Sequence, residues 1–373
     1  MKIGVPKEIK NHEYRVGLTS LSVKELVSAG HEVVVETNAG MGIGLTDDEY
    51  KSAGAKILPT AKEVFDAADM IVKVKEPQAS EYGLIKENQI LFTYLHLAPD
   101  PEQAKGLINS KCVAIAYETV TDERGGLPLL APMSEVAGRM SVQVGAWMLE
   151  KSQGGKGVLL GSVPGVVPAK VVVLGGGVVG ANAARMATAL GADVTIVDRN
   201  LKRLNELDWM FMGRLKTAFS TQATVEALVA KADLVIGAVL VVGAAAPRLV
   251  TRNMLKTMNP GSVLVDVAID QGGCFETSRP TTHADPYYEI DGILHYCVTN
   301  MPGAVARTST FALNNATLPF TMALANKGYK QALQNDPHLL RGLNVYKGHI
   351  THEVVANDLN MQYVAPGEAI IAA

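Results

Sequence analysis

The chain has 373 residues, enough for two domains of ordinary size, and 48% of them are hydrophobic, so a sizeable core can be buried. The net charge is -3 with no basic block, which argues against a nucleic-acid partner. Cys112, Cys274 and Cys297 have neither metal-ligand nor disulfide-framework spacing, the opening MKIGVPKEIK has no signal-peptide core, and no stretch approaches the ~18 unbroken apolar residues of a membrane span; the expectation is a reduced, cytoplasmic protein outside any membrane.

The first third alternates short apolar strands with helical stretches. Strands are predicted at Lys2–Val5, Glu32–Glu36, Met70–Val74, Ile90–Tyr94 and Val113–Tyr117, and helices at Ser22–Ala29, Ala61–Ala67 and Pro101–Leu107. This alternation implies a parallel sheet with helices on its faces. A long helix is predicted from Ser134 as N-cap, with Val136, Met140, Val144 and Met148 on one face. It leads into the Gly-rich stretch 154–165, which reads as a linker or ligand-facing loop. A second alternation follows, with six strands at Lys170–Leu174, Asp193–Val197, Leu215–Phe219, Asp233–Ala238, Ser262–Val267 and Ile293–Cys297. Their almost wholly apolar runs suit strands covered on both faces, and six strands make two mononucleotide-binding halves. After Pro302 the pattern turns helical through Phe311 and Leu324, and the segment Gly342–Leu359 reads as strand-poor. The expected fold is α/β: two Rossmann-like domains with doubly wound parallel sheets and bridging helices.

Residues 171–180 read VVVLGGGVVG, a buried strand running into Gly175, Gly177 and Gly180 ahead of a helix. Glycines at these places permit the tight turn, the approach of a pyrophosphate and close helix–strand packing. The helix N-terminus then offers N–H groups and partial positive charge to phosphates. Asp198 ends the next strand 18 residues beyond Gly180, where a ribose-binding acid belongs. An acid there repels a 2′-phosphate, so NAD is expected over NADP, although Arg199 and Arg203 stand nearby.

Lys75, His96 and Asp270 each end or follow an apolar strand, where ligands of open α/β sheets sit. From the residues alone, Lys75 also reads as a solvated strand end, His96 as a satisfied histidine, Asp270 as a turn former and Arg15 as a surface residue. His349 and His352 lack a third ligand, so no metal site is expected.

Several long segments resemble the alanine dehydrogenase family: GVPKEIKNHEYRVGLT at 4–19, MIVKVKEP at 70–77, ILFTYLHLA at 90–98, LLGSVPGV at 159–166, VVVLGGGVVG at 171–180, VDVAIDQGGCFET at 265–277 and NMPGAVARTST at 300–310. The resemblance covers nearly the whole chain. It implies that Arg15 and Lys75 hold the substrate carboxylate, that His96 is the acid/base, that Asp270 is its partner beside the nicotinamide, and that Asn300 closes near the substrate. It also implies NAD contacts from Ser134, Val178, Val179, Asp198, Arg203, Ser220, Val239, Leu240, Val267, Asp270, Arg279 and Met301. Further implications are a substrate domain of residues 1–128 and 307–373 around an NAD domain of 129–306, a homo-oligomer, usually a hexamer, and reversible oxidation of L-alanine to pyruvate and ammonium. The family commonly has proline where this chain has Ser20, Val242, Thr299 and Ala306, all four read here as loop positions. Rival readings on the same fold are the NAD-binding subunit of transhydrogenase and an NAD-sensing protein.

Overall fold

A computed structural model of the chain describes residues 1–239 and 246–371. The described strands are β1 (Lys2–Val5), β2 (Glu32–Glu36), β3 (Lys56–Leu58), β4 (Met70–Val72), β5 (Ile90–Thr93) and β6 (Val113–Ala116) in the first third. Next come β7 (Lys170–Leu174), β8 (Asp193–Asp198), β9 (Lys216–Phe219), β10 (Leu234–Gly237), β11 (Val263–Asp266), β12 (Tyr287–Ile290) and β13 (Ile293–Tyr296), and finally β14 (Leu343–Tyr346) and β15 (His349–Ile350). The chain divides into two compact units, Met1–Met133 with Val305–Ala373, and Ser134–Ala304.

The first unit holds an eight-stranded sheet in the order β15-β14-β6-β5-β4-β1-β2-β3. Strands β1 to β6 are parallel, and their order reverses between β1 and β4, which is the doubly wound arrangement. The second unit holds a seven-stranded sheet, β12-β13-β11-β10-β7-β8-β9, with its reversal between β7 and β10. Strands β10 and β11 are buried at every residue, as helices on both faces require.

Neither sheet is purely parallel, which corrects the expectation. In the first, β14 runs antiparallel to β6 and β15 antiparallel to β14. In the second, β12 runs antiparallel to β13, a strand absent from the six expected. Both hairpins turn on a two-residue step with positive φ, Asp291-Gly292 and Lys347-Gly348. Asp-Gly is a strong hairpin signal, and it was present in the sequence. The segment Gly342–Leu359, expected to be strand-poor, therefore supplies an edge of the first sheet. No residue of β3 or β12 is fully buried, so neither shows the buried apolar run of strands such as β10 and β11.

Three helix starts also differ from expectation. The long helix spans Ala131–Met148, so Ser134 lies inside it and does not cap it. Pro132 sits in its first turn, where a missing N–H removes nothing the helix uses. Ser20 and Ala306 are the first residues of helices Ser20–Ser28 and Ala306–Asn335, not loop residues. A proline at either place would fit for the same reason. Thr299 is a loop residue whose N–H donates to the Thr281 carbonyl at 3.3 Å, a bond that proline would remove. Val242 lies outside the described residues.

Within the first unit, helix Ala306–Asn335 is tied to the segment after β1 by one buried amide. Asn314 donates from Nδ2 to the Gly17 carbonyl at 2.6 Å. Its Oδ1 accepts from the Thr19 N–H at 2.8 Å and the Ser22 hydroxyl at 2.6 Å. This anchors the segment that carries Arg15. No helix among the described residues is long and apolar enough to cross a membrane.

Candidate active site

The first unit gathers Arg15, Lys75 and His96 around the carboxyl ends of β1, β4 and β5. Arg15 is only 2% exposed, an unusual place for a guanidinium. Glu13 grips it from two sides: Arg15 Nε donates to Oε1 at 2.7 Å and Nη2 to Oε2 at 2.6 Å. Burial works against the charge, but the Glu13 hydrogen bonds outweigh it and hold the Arg15 pKa above its ordinary value. Nη1 lies 3.1 Å from the Met133 sulfur. Arg15 also lines a cavity of about 440 Å³ together with Lys7, Glu8, Lys10, His12 and Glu13.

Lys75 follows β4. Its N–H donates to Glu8 Oε1 at 3.2 Å, and its carbonyl accepts from the Thr93 hydroxyl at 2.9 Å. Two residues earlier, Lys73 is fully buried and lies 3.2 Å from Glu8 and 2.9 Å from Glu81. Burial disfavours its charge, yet the two glutamates more than offset this and raise its pKa. Burial pushes the Glu8 carboxyl up, against the pull of Lys73.

His96 follows β5 with φ of 47°, and its ring is half exposed, stacked on the Tyr94 ring at 5.7 Å. Tyr94 is buried, its hydroxyl donating to the Leu129 carbonyl at 2.5 Å. Glu118, after β6, accepts from the His96 N–H at 2.6 Å and lies 4.0 Å from its Nδ1. The imidazole is thus presented to solvent from a backbone that a carboxylate and an aromatic face hold still.

In the second unit, the glycine loop joins β7 to helix Val178–Ala189. Gly175 has φ of 104°, which favours glycine, and a Cβ on Gly180 would stand 1.8 Å from the Gly175 carbonyl oxygen. A Cβ on Gly177 would meet nothing within 4 Å, so the loop presents open space at its outer turn. The helix has no side-chain cap, so Val178 and Val179 begin it with backbone N–H groups unclaimed by side chains. Asp198 ends β8, where it accepts from the Gly176 N–H at 2.7 Å and the Asn200 N–H at 2.8 Å. Arg203 Nε donates to the Gly176 carbonyl at 2.6 Å, and the Ser220 N–H donates to the Asp198 carbonyl at 2.9 Å. Gly175, Gly177, Gly180, Asp198, Arg203 and Ser220 therefore form one cluster at the ends of β7, β8 and β9.

The remaining second-unit candidates are more dispersed. The Val239 side chain comes within 3.0 Å of where a Gly175 Cβ would stand. The Val267 N–H donates to the Gly237 carbonyl at 2.9 Å. Asp270 is exposed on the single helical turn Ile269–Gln271 that follows β11. Arg279 lies 4.0 Å above the Tyr288 ring, and its N–H donates to the Tyr288 hydroxyl at 2.8 Å. The Asn300 carbonyl accepts from the His283 ring at 2.7 Å, Met301 beside it is 2% exposed, and Ser134 sits within the long helix. Leu240 lies outside the described residues.

Four acids that the sequence reading passed over hold these groups: Glu13, Glu8, Glu118 and Asp266. Asp266 is fully buried at the end of β11, and its carboxylate accepts from the Cys274 N–H at 2.8 Å, the Ala268 N–H at 3.1 Å and the Ser278 hydroxyl. The loop bearing Asp270 is folded around it. Burial raises its pKa, against those hydrogen bonds. A signal for it was available, since a charge embedded in an apolar run, as in VLVDVA or MIVKV, must find partners.

Known proteins share this layout. Residues 4–137 match the family described as "Alanine dehydrogenase/PNT, N-terminal domain" and residues 141–353 its C-terminal domain. The chain is 59% identical to an alanine dehydrogenase of Halomonas elongata, over 99% of this chain and all of that one. A solved L-alanine dehydrogenase is 54% identical with a TM-score of 0.94, over 96% of this chain and 99% of that one. A transhydrogenase structure from Sinorhizobium meliloti is 27% identical with a TM-score of 0.82, over 94% of this chain and all of that one. With both domains matched and the identity running end to end, this chain belongs to the alanine dehydrogenase/PNT family.

Proposed function

We propose that the chain catalyses NAD-dependent oxidative deamination of L-alanine to pyruvate and ammonium, and the reverse reductive amination. The observation that carries this reading is a pair of cations, buried Arg15 and backbone-clamped Lys75, presented with an exposed imidazole from one sheet end. A guanidinium and an ammonium suit a small carboxylate, and His96 and Asp270 suit the amine beside it. The higher identity to L-alanine dehydrogenase than to transhydrogenase favours this reaction over hydride exchange between two nucleotides.

The second unit is the NAD domain in this reading, and its residues fit the dinucleotide. The open turn at Gly177 and the uncapped helix leave room and N–H donors for a pyrophosphate, and Asp198 offers acceptors for a ribose. Bound NAD supplies a hydride acceptor. Arg15 and Lys75 fix the alanine carboxylate, so the reacting carbon is held in one place. His96 takes a proton from the water that adds to the substrate imine and returns one to the departing amine. Asp270 orients the amino group and stabilises its positive charge. Atoms balance as alanine, NAD⁺ and water giving pyruvate, ammonium, NADH and a proton. Likeness to the family also supports a cytoplasmic hexamer, with the first unit as substrate domain.

Mixing the purified protein with L-alanine and NAD is expected to raise NADH absorbance, and pyruvate with ammonium and NADH to lower it. Tight NAD binding with no absorbance change in either direction would instead favour a sensor. Asp198→Ala is expected to relax NAD-over-NADP preference about 10- to 100-fold, the worth of a charged hydrogen bond of about 1.5–3 kcal/mol. Loss of its grip on the loop would weaken both nucleotides equally, so an unchanged ratio removes the ribose role.

A further inference from the structure

We propose that Glu8 is a positioning residue for the reaction: it holds the Lys75 peptide and joins it to the segment that carries Arg15. This rests on the reading of Lys75 as a ligand of the substrate carboxylate. Lys73 and Tyr94 use their N–H groups in backbone pairing with the Phe92 and Val74 carbonyls. The N–H groups of Val74 and Lys75 turn instead to a side chain, Glu8 Oε1, at 2.6 and 3.2 Å. On its other side, the Lys75 carbonyl is held by the Thr93 hydroxyl at 2.9 Å. The backbone on both sides of the Lys75 Cα is therefore clamped, which fixes the point from which its side chain starts.

The charges around this clamp need an explanation. Lys73, Glu8 and Glu81 are all at least nine-tenths buried and carry a net charge of minus one. Burying ions is costly, and well-packed apolar side chains often serve stability as well. Apolar side chains offer no acceptor, however, and buried N–H groups require one. Glu8 supplies it, Lys73 lies 3.2 Å from Glu8 and opposes the effect of burial on its carboxyl, and Glu81 shares Lys73 while accepting from the Gln78 N–H at 2.8 Å, which closes the loop beyond Lys75. Glu8 lies on the segment whose other end presents Arg15, fixed there by Glu13. Glu8 thus ties the Lys75 peptide to the same segment of chain that carries Arg15.

The test is a double-mutant cycle in the full chain, with E8A, K75A and E8A/K75A, reading the pyruvate KM, the NADH Kd and the Tm. E8A is expected to raise the pyruvate KM about tenfold and leave the NADH Kd within about twofold, with E8A/K75A no worse than K75A. E8Q, which keeps the acceptor oxygen, is expected to recover most of the loss. A merely structural residue would lower Tm and active fraction without moving the KM of one substrate. A pyruvate KM for E8A within about twofold of the parent, or effects of E8A and K75A that multiply, would overturn the proposal. If K75A leaves the KM unchanged, the reading of Lys75 fails and takes this inference with it; if K75A raises it and E8A does not, only Glu8 fails. Should E8A not fold, E8M/K73M/E81M replaces the triad by apolar side chains of similar length, and the same outcomes apply.

Discussion

His96→Ala is expected to lower kcat by about 10²- to 10⁴-fold, the usual worth of a positioned general acid/base, or ~3–5.5 kcal/mol of barrier. The loss should appear in both directions, because the same imidazole moves a proton whether the amine leaves or adds. NADH affinity and Tm should change little, since the ring is half exposed and its stacking partner Tyr94 is anchored independently on Leu129. Steady-state rates in both directions, beside a titration of NADH binding, decide the matter. Near-normal turnover would remove His96 from the chemistry.

Glu13→Ala is expected to be the most damaging change outside the reacting groups. It leaves Arg15, 2% exposed, without the carboxylate that meets two of its nitrogens. Removing one member of a buried ion pair costs about 3–5 kcal/mol, because the remaining charge keeps its desolvation penalty. That is a large part of the ~5–15 kcal/mol by which a domain is stable. Two outcomes are consistent with the pair: a large fall in denaturation midpoint, or a folded protein whose Arg15 has turned away and whose pyruvate KM has risen steeply. Chemical denaturation and pyruvate kinetics on the same sample distinguish them. A variant with parental stability and parental KM would show that Glu13 does not hold Arg15.

The two predictions differ in how their residues were found. His96, Lys75 and Asp270 stand out in the sequence as candidates because each ends or follows an apolar strand, and strand ends are where this kind of sheet places ligands. Glu13 was not singled out, although it stands two residues from Arg15. An i, i+2 pair meets only if the backbone between curls suitably, and an arginine seven residues beyond Glu8 reads as a surface residue until its burial is known. Glu118 is further from view: it reaches the His96 N–H across a separation of 22 residues, with nothing in ILFTYLHLA that asks for it.

The fold divides in the same way. Elements with an uninterrupted apolar run, such as β1, β2 and β7, stand where periodicity puts them, with the same bounds. The two antiparallel hairpins are hard to read from apolar runs because they form around positive-φ turns, Asp291-Gly292 and Lys347-Gly348, set among polar residues. The Ala131–Met148 helix starts before Ser134, whose side chain suits a cap, because Pro132 occupies its first turn. Capping is a matter of which N–H groups lack partners, and that depends on where the preceding chain goes.

What the sequence by itself determined is the part of this protein that is local. The strand–glycine–helix unit and Asp198 are set by spacing along one segment, because a tight turn, an open approach at Gly177 and the Gly180–Gly175 contact involve only residues within it. What only the tertiary structure decided is which partner each buried charge has: Glu13 for Arg15, Glu8 and Glu81 for Lys73, Glu118 for the His96 backbone, and backbone N–H groups for Asp266. A charge removed from water must be met within about 3 Å. Glu8 meets Lys73, and Glu118 the His96 N–H, across long stretches of chain, so their choice is a property of how strands β1, β4, β5 and β6 assemble.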